Sequence, residues 1–121
     1  MGEKKKKILV ADDDASILEV MEIILKDAGY DLIIVTDGKV IEKKIIELKP
    51  NLVLLDIWMA GEDGGEIAKN LKASSATKDT PIIIVSANND TAKIAKEAGA
   101  DDFLAKPFDM HELLLLIKKY V

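Results

Sequence analysis

Cysteine is absent from this chain of 121 residues, which excludes a disulfide scaffold and any thiolate metal site. An excess of positive charge is also missing. Seventeen basic against 22 acidic side chains leave a formal net charge of -5, a balance that argues against nonspecific nucleic-acid binding by the domain itself. No apolar run is long enough to span a bilayer and no segment has the build of a signal peptide, so a cytoplasmic protein without membrane contact is expected. Histidine occurs once, at His111, in the first turn of what reads as the last helix, where a surface residue is expected rather than a metal or phosphorelay group. What is present is 49% hydrophobic content, enough for a real core and, at this length, one domain spanning residues 1–121. The local basic run Lys4 to Lys7 reads as a solvated N-terminal arm.

The most informative stretch is NLVLLDIWMAGEDG, Asn51 to Gly64. Leu52 to Leu55 followed by Asp56 has the pattern of a strand buried on both faces that delivers one carboxylate at its C-terminal edge. Periodicity is then lost through Gly61 and the pair Gly64-Gly65, which predicts a flexible loop. An open parallel sheet binds ligands outside the carboxyl ends of its strands. Taken alone, such an Asp more often starts a turn.

The rest of the chain repeats this arrangement. Ile8 to Ala11 is a strand that breaks into Asp12, Asp13 and Asp14; the last of these is placed to cap a helix from Ala15 to Ala28, with Gly29 as its stop. Ile17, Val20, Met21, Ile24 and Leu25 keep helical spacing, while Leu18 and Ile23 lie at or beyond the flank of that stripe. Leu32 to Val35 is a strand, followed by a helix with Ile41, Ile45 and Leu48 on one face, ending at Pro50. A short helix over Ile67 to Ala73 and a polar linker from Ser74 to Thr80 lead to the strand Ile82 to Val85, which ends in Ser86. Thr91 to Ala98 is a brief helix and Asp102 to Ala105 a weak strand ending at Lys106-Pro107. Asp109 and Glu112 start the last helix, whose Leu113 to Leu116 cannot all face inward. Strands alternating with helices imply an α/β fold, a five-stranded parallel sheet covered on both faces, doubly wound in the flavodoxin manner.

In such a sheet Asp12, Asp13, Asp56, Ser86 and Lys106 share one edge. Clustered carboxylates stay ionised together when a cation joins them, and oxygen-only ligands suit Mg²⁺, which readily bridges to a phosphoryl group. Lys106 would supply a point charge to a phosphoryl oxygen and Ser86 a hydrogen bond, leaving one carboxylate free as nucleophile. These residues resemble the response regulator receiver domains of two-component signalling: ILVADDD, LLDIWMAGEDG, PIIIVSA and AGADDFLAKPF occur in family order across essentially the whole chain. The resemblance implies that Asp56 is the phosphoacceptor and that Asp13, Asp56 and the Trp58 carbonyl ligate Mg²⁺, with Asp12 acting through water. It implies Ser86 and Lys106 as the phosphate-sensing pair, Ser86 and Phe103 as the switch, and a Pro107 at a Lys-Pro peptide that is often cis. The implied donor is a sensor histidine kinase or histidine phosphotransfer protein, docking near Ile17, Leu18 and Pro107. The face made by the fourth helix, fifth strand and fifth helix is the implied output surface and a possible homodimer contact.

Three features depart from common family patterns. Ala60 stands where proline commonly follows the methionine, Trp58 and Asn88 occupy the two positions that often tune hydrolysis, and the segment between Ser86 and Lys106 is short, predicting a stunted fourth helix. Phe103 read without the family is a core residue, and Asp63-Gly64 a simple turn. Two other functions remain: a pseudo-receiver that binds partners without phosphorylation, and, behind it, a phosphatase of the haloacid-dehalogenase type. The latter follows from the D-x-D spacing of Asp12 to Asp14 and predicts attack by Asp12, but leaves little chain for the cap such enzymes build.

Overall fold

The computed structural model describes residues 5–59, 61–87 and 89–121; expectations resting on Lys4, Ala60 and Asn88 lie outside them. Five parallel strands, β1 (Lys7–Ala11), β2 (Asp31–Val35), β3 (Leu52–Asp56), β4 (Ile82–Ser86) and β5 (Asp102–Ala105), form one sheet in the order β2-β1-β3-β4-β5. The helices are α1 (Ala15–Asp27), α2 (Ile41–Leu48), α3 (Gly64–Ala73), α4 (Thr91–Ala98) and α5 (Met110–Lys118). Alternation along β1 shows why the sheet needs two helical layers. Ile8 and Val10 join Met21 and Leu25 of α1 and Leu113 and Ile117 of α5, whereas Leu9 and Ala11 join the cluster with Ile41, Ile45, Ala68, Leu71, Ala95 and Ala98 of the other three helices. The three central strands are therefore almost uninterrupted apolar runs. Among the described residues no helix is long and apolar enough to cross a membrane.

Capping follows the sequence. The Asp14 carboxylate accepts hydrogen bonds from the backbone N–H groups of Ser16 and Ile17, and Asp109 accepts from Glu112 N at 2.7 Å. Gly29, at φ +93°, carries the chain out of α1 in a conformation that L side chains rarely adopt. α4 is eight residues long.

Several expectations need correction. The segment after Asp56 carries a two-stranded antiparallel ladder, Trp58–Met59 against Glu62–Asp63, with Met59 fully buried, so hydrogen bonds and packing tie it down. α3 begins at Gly64, three residues before the predicted start, because the Asp63 side chain accepts from Gly65 N and Glu66 N and caps it. Val20 is 49% exposed despite its place in the α1 stripe. Met21 and Leu25 are the α1 residues seated fully against the sheet, and Ile34 on the edge strand β2 is also exposed. The 74–80 linker is more than a polar connection. Thr77 is buried and its hydroxyl donates to Leu71 O at 2.6 Å, while Lys72 Nζ donates to Lys78 O, Thr80 O and Asp101 Oδ2.

Candidate functional site

Parallel register brings the strand ends together. Ala11 pairs with Leu55, Asp56 with Val85 and Ser86 with Ala105, so Asp12, Asp56, Ser86 and Lys106 emerge along one edge. Backbone hydrogen bonds hold the exits of β1 and β5. Asp12 N donates to Val35 O at 3.1 Å, which fixes the exit of β1 against β2, and Asp14 N donates to Asp12 Oδ1 at 2.9 Å. Lys106 N donates to Ser86 O at 2.8 Å, tying the exit of β5 to β4, and the following Lys106–Pro107 peptide is cis.

Lys106 crosses the edge to the acids. Its Nζ lies 3.1 Å from Asp12 Oδ2 and 3.6 Å from Asp56 Oδ1. Asp12 is nearly inaccessible, with 2% of its surface exposed, Asp56 is partly buried and Asp13 is exposed. Burial pushes the Asp56 carboxyl above the ordinary carboxylate range; the neighbouring Asp12 charge adds to this, and the Lys106 ammonium opposes it. Carboxylate oxygens of Asp12, Asp13 and Asp56 all lie within 4.8 Å of one another. Three carboxylates against one ammonium leave a net negative, oxygen-only donor set, which fits a small hard divalent cation such as Mg²⁺.

β3 and the start of α3 approach closely enough to exclude a side chain. Gly64 N donates to Ile57 O at 2.6 Å, and a Cβ on Gly64 would collide with the Asp56 carbonyl oxygen and stand 2.8 Å from Ile57 Cα. This glycine, assigned to a turn by sequence, is a steric requirement that sets the acid in place.

Other expected positions are spread around this edge. Trp58 is 61% exposed beside Asp56, and Pro107 is exposed. Ile17 and Leu18 are partly buried against the α1–α5 core. Ser86 is 2% exposed. Phe103, expected in the core when read without the family, is 42% exposed, because β5 is an edge strand and its alternate residue Leu104 is the one turned into the core. Sequence reasoning missed a second polar group on β5, in which Tyr120 OH donates to Asp102 Oδ2 at 2.8 Å and Lys119 Nζ lies 3.3 Å from the same oxygen.

A family model of the response regulator receiver domain matches residues 8–118. The chain belongs to that family. Receiver domains are signalling domains of two-component systems, work with histidine kinases and bind Mg²⁺ at an acidic pocket. This receiver is 37% identical over 120 residues to the DNA-binding response regulator MtrA of Mycobacterium tuberculosis, a match covering 98% of the chain and 51% of MtrA. It therefore spans about half the length of that relative. Protein PilG of Pseudomonas aeruginosa is 38% identical over 118 residues, covering 95% of this receiver and 87% of PilG. The receiver domain of sensor histidine kinase PA1611 from Pseudomonas aeruginosa PAO1, solved with a magnesium ion coordinated in its active site cleft, superposes with a TM-score of 0.88. It is 26% identical, covering 97% of this receiver and 98% of that chain.

Proposed function

We propose that residues 1–121 act as one phosphorylatable receiver, with Asp56 the phosphoacceptor. The observation that carries this reading is Asp56 at a strand end with two further acids within 4.8 Å and Lys106 Nζ at 3.6 Å. A carboxylate oxygen of Asp56 attacks phosphorus on a partner's phosphohistidine, the O–P bond forms, and the N–P bond breaks with its electron pair returning to the imidazole. Asp12, Asp13, Asp56 and the Trp58 carbonyl would hold Mg²⁺, Asp12 through water, and the ion would neutralise charge on the transferring oxygens. Lys106 is anchored by Asp12 and reaches toward Asp56, so its ammonium is available to a phosphoryl oxygen without moving far. Hydrolysis of the acyl phosphate by water returns the receiver to its starting state.

The same reading assigns the response. A phosphoryl group on Asp56 adds acceptor oxygens that recruit the Ser86 hydroxyl, and Phe103, exposed on β5 as the structure stands, turns toward the space Ser86 leaves. The surface of α4, β5 and α5 then changes, with Phe103 and the 53%-exposed Leu115 available to a target or a second copy. Ile17, Leu18 and Pro107 serve the histidine kinase or phosphotransfer protein. The net charge of -5 disfavours direct nucleic-acid contact by this domain.

Intact mass after incubation with Mg²⁺ and acetyl phosphate tests the proposal. The wild type gains one labile phosphoryl group, Asp56→Asn gains none, and Asp12→Asn is impaired. Absence of an adduct in the wild type, together with absence of Mg²⁺ binding, overturns the proposal and favours the pseudo-receiver; an adduct retained in Asp56→Asn and lost in Asp12→Asn favours attack by Asp12.

A further inference from the structure

Beside the acidic edge, a groove of about 500 Å³ runs between α3 and α4. It exists because the facing positions are small. The small residues Gly65 and Ala98 line it together with the apolar side chains of Ile57, Ile94 and Trp58. An indole 61% exposed is unusual for the side chain with the largest apolar surface, and an exposed aromatic with apolar neighbours marks a recognition surface.

The rim gives the groove its sign. Asp63, Glu66 and Glu97 stand against a single cation, Lys69. Asp63 is engaged in capping α3. Glu66, Glu97 and Lys69 are exposed and form no ion pair among the described residues. Such a rim repels nucleic acid and anionic lipid, and attracts cationic side chains.

We propose that this groove docks a basic segment of a partner protein, with an apolar side chain entering over Ile57 and Ile94 and flanking arginine or lysine residues answering Glu66 and Glu97. An arginine laid on the exposed face of Trp58 adds a cation–π contact. The groove shares α4 with the α4, β5 and α5 face but is lined by no residue of β5 or α5, and its occupation requires no phosphoryl group.

Trp58 is the only tryptophan, so its emission reports occupancy directly. The probe is a short synthetic peptide of leucine and arginine without aromatic residues, titrated in the absence of phosphodonor, with a leucine–glutamate peptide of equal length for comparison. The basic peptide shifts Trp58 emission saturably. Glu66→Lys/Glu97→Lys weakens binding by about tenfold or more, and Glu66→Gln/Glu97→Gln weakens it by a smaller factor without adding a like charge. Glu19→Lys/Glu47→Lys, the same charge change on α1 and α2, leaves it within about twofold. No saturable shift, an equal response to the acidic peptide, or equal losses in the groove and control variants overturns the proposal.

Discussion

At the scale of single residues, three side chains outside the acid cluster have consequences that can be measured. Trp58 follows the proposed phosphoacceptor by two positions, and the proposed function gives its bulky indole the role of limiting the approach of water to an acyl phosphate. Trp58→Asn is expected to shorten the phosphoprotein lifetime, by about tenfold for each ~1.4 kcal/mol of barrier the indole adds; an autodephosphorylation rate that is unchanged or slower removes the role. Tyr120 is pushed up to about 12 by burial first and by its hydrogen bond to Asp102 second. Between pH 10 and 12 the unfolded chain releases the phenol proton while the folded protein keeps it, so this contribution to stability is complete below pH 10 and is lost as pH rises through 12. Urea denaturation of wild type and Tyr120→Phe at pH 8 and in the alkaline range checks it: the advantage of the wild type shrinks toward high pH. Asp102 has the opposite sign. Burial works to raise its pKa, but hydrogen bonds from Phe103 N, Tyr120 OH and Lys119 outweigh burial and hold the carboxyl below its usual range. Its contribution is thus complete above the usual carboxylate pKa and fades as pH falls through the depressed value.

At the scale of elements, the site depends on how closely α3 can approach the end of β3. Gly64 is buried at that contact, and no Cβ fits between it and the Asp56 carbonyl. Gly64→Ala is expected to cost about 1–3 kcal/mol by overpacking, read as a lower urea midpoint with an unchanged slope. If the strain displaces the backbone that carries Asp56, the proposed phosphorylation is expected to slow as well. A wild-type midpoint in Gly64→Ala would show that the contact yields. The order of elements was legible in the sequence, since buried strands such as Ile82 to Val85 and caps such as Asp14 and Asp109 are local patterns. The start of α3, the ladder after Asp56 and the anchoring of the 74–80 linker by Lys72 were not. The ladder and the linker anchor depend on partners that the local pattern does not name, a facing backbone and, for Lys72, an acid 29 positions away; the start of α3 is set by the local Asp63 cap, which the pair Gly64-Gly65, poor helix formers, disguised as a turn.

At the scale of the whole molecule, the acidic edge is a concentration of like charge that folding must hold together. A cation that binds this edge in the folded state and not in the unfolded chain stabilises the fold by mass action, by about 2.7 kcal/mol at a hundredfold excess over its Kd. Thermal unfolding at neutral pH is therefore expected to shift upward with Mg²⁺, to reverse on chelation, and to lose the shift in Asp13→Asn, whose exposed side chain carries little packing. An equal shift in that variant would place the cation elsewhere. The residues of the site could be named from the chain alone because a doubly wound sheet puts every strand's C-terminal end on one edge, so an acid, hydroxyl or lysine just after an apolar run has a determined location. What only the tertiary structure decided is the chemistry between them: that Asp12 is the buried partner of Lys106, that Asp56 is held above its ordinary range, that Phe103 is exposed, and that α3 and α4 leave an acid-rimmed groove. Strand and helix patterns are written in neighbouring residues, whereas burial, charge coupling and open surface arise from side chains that meet only after the sheet has closed.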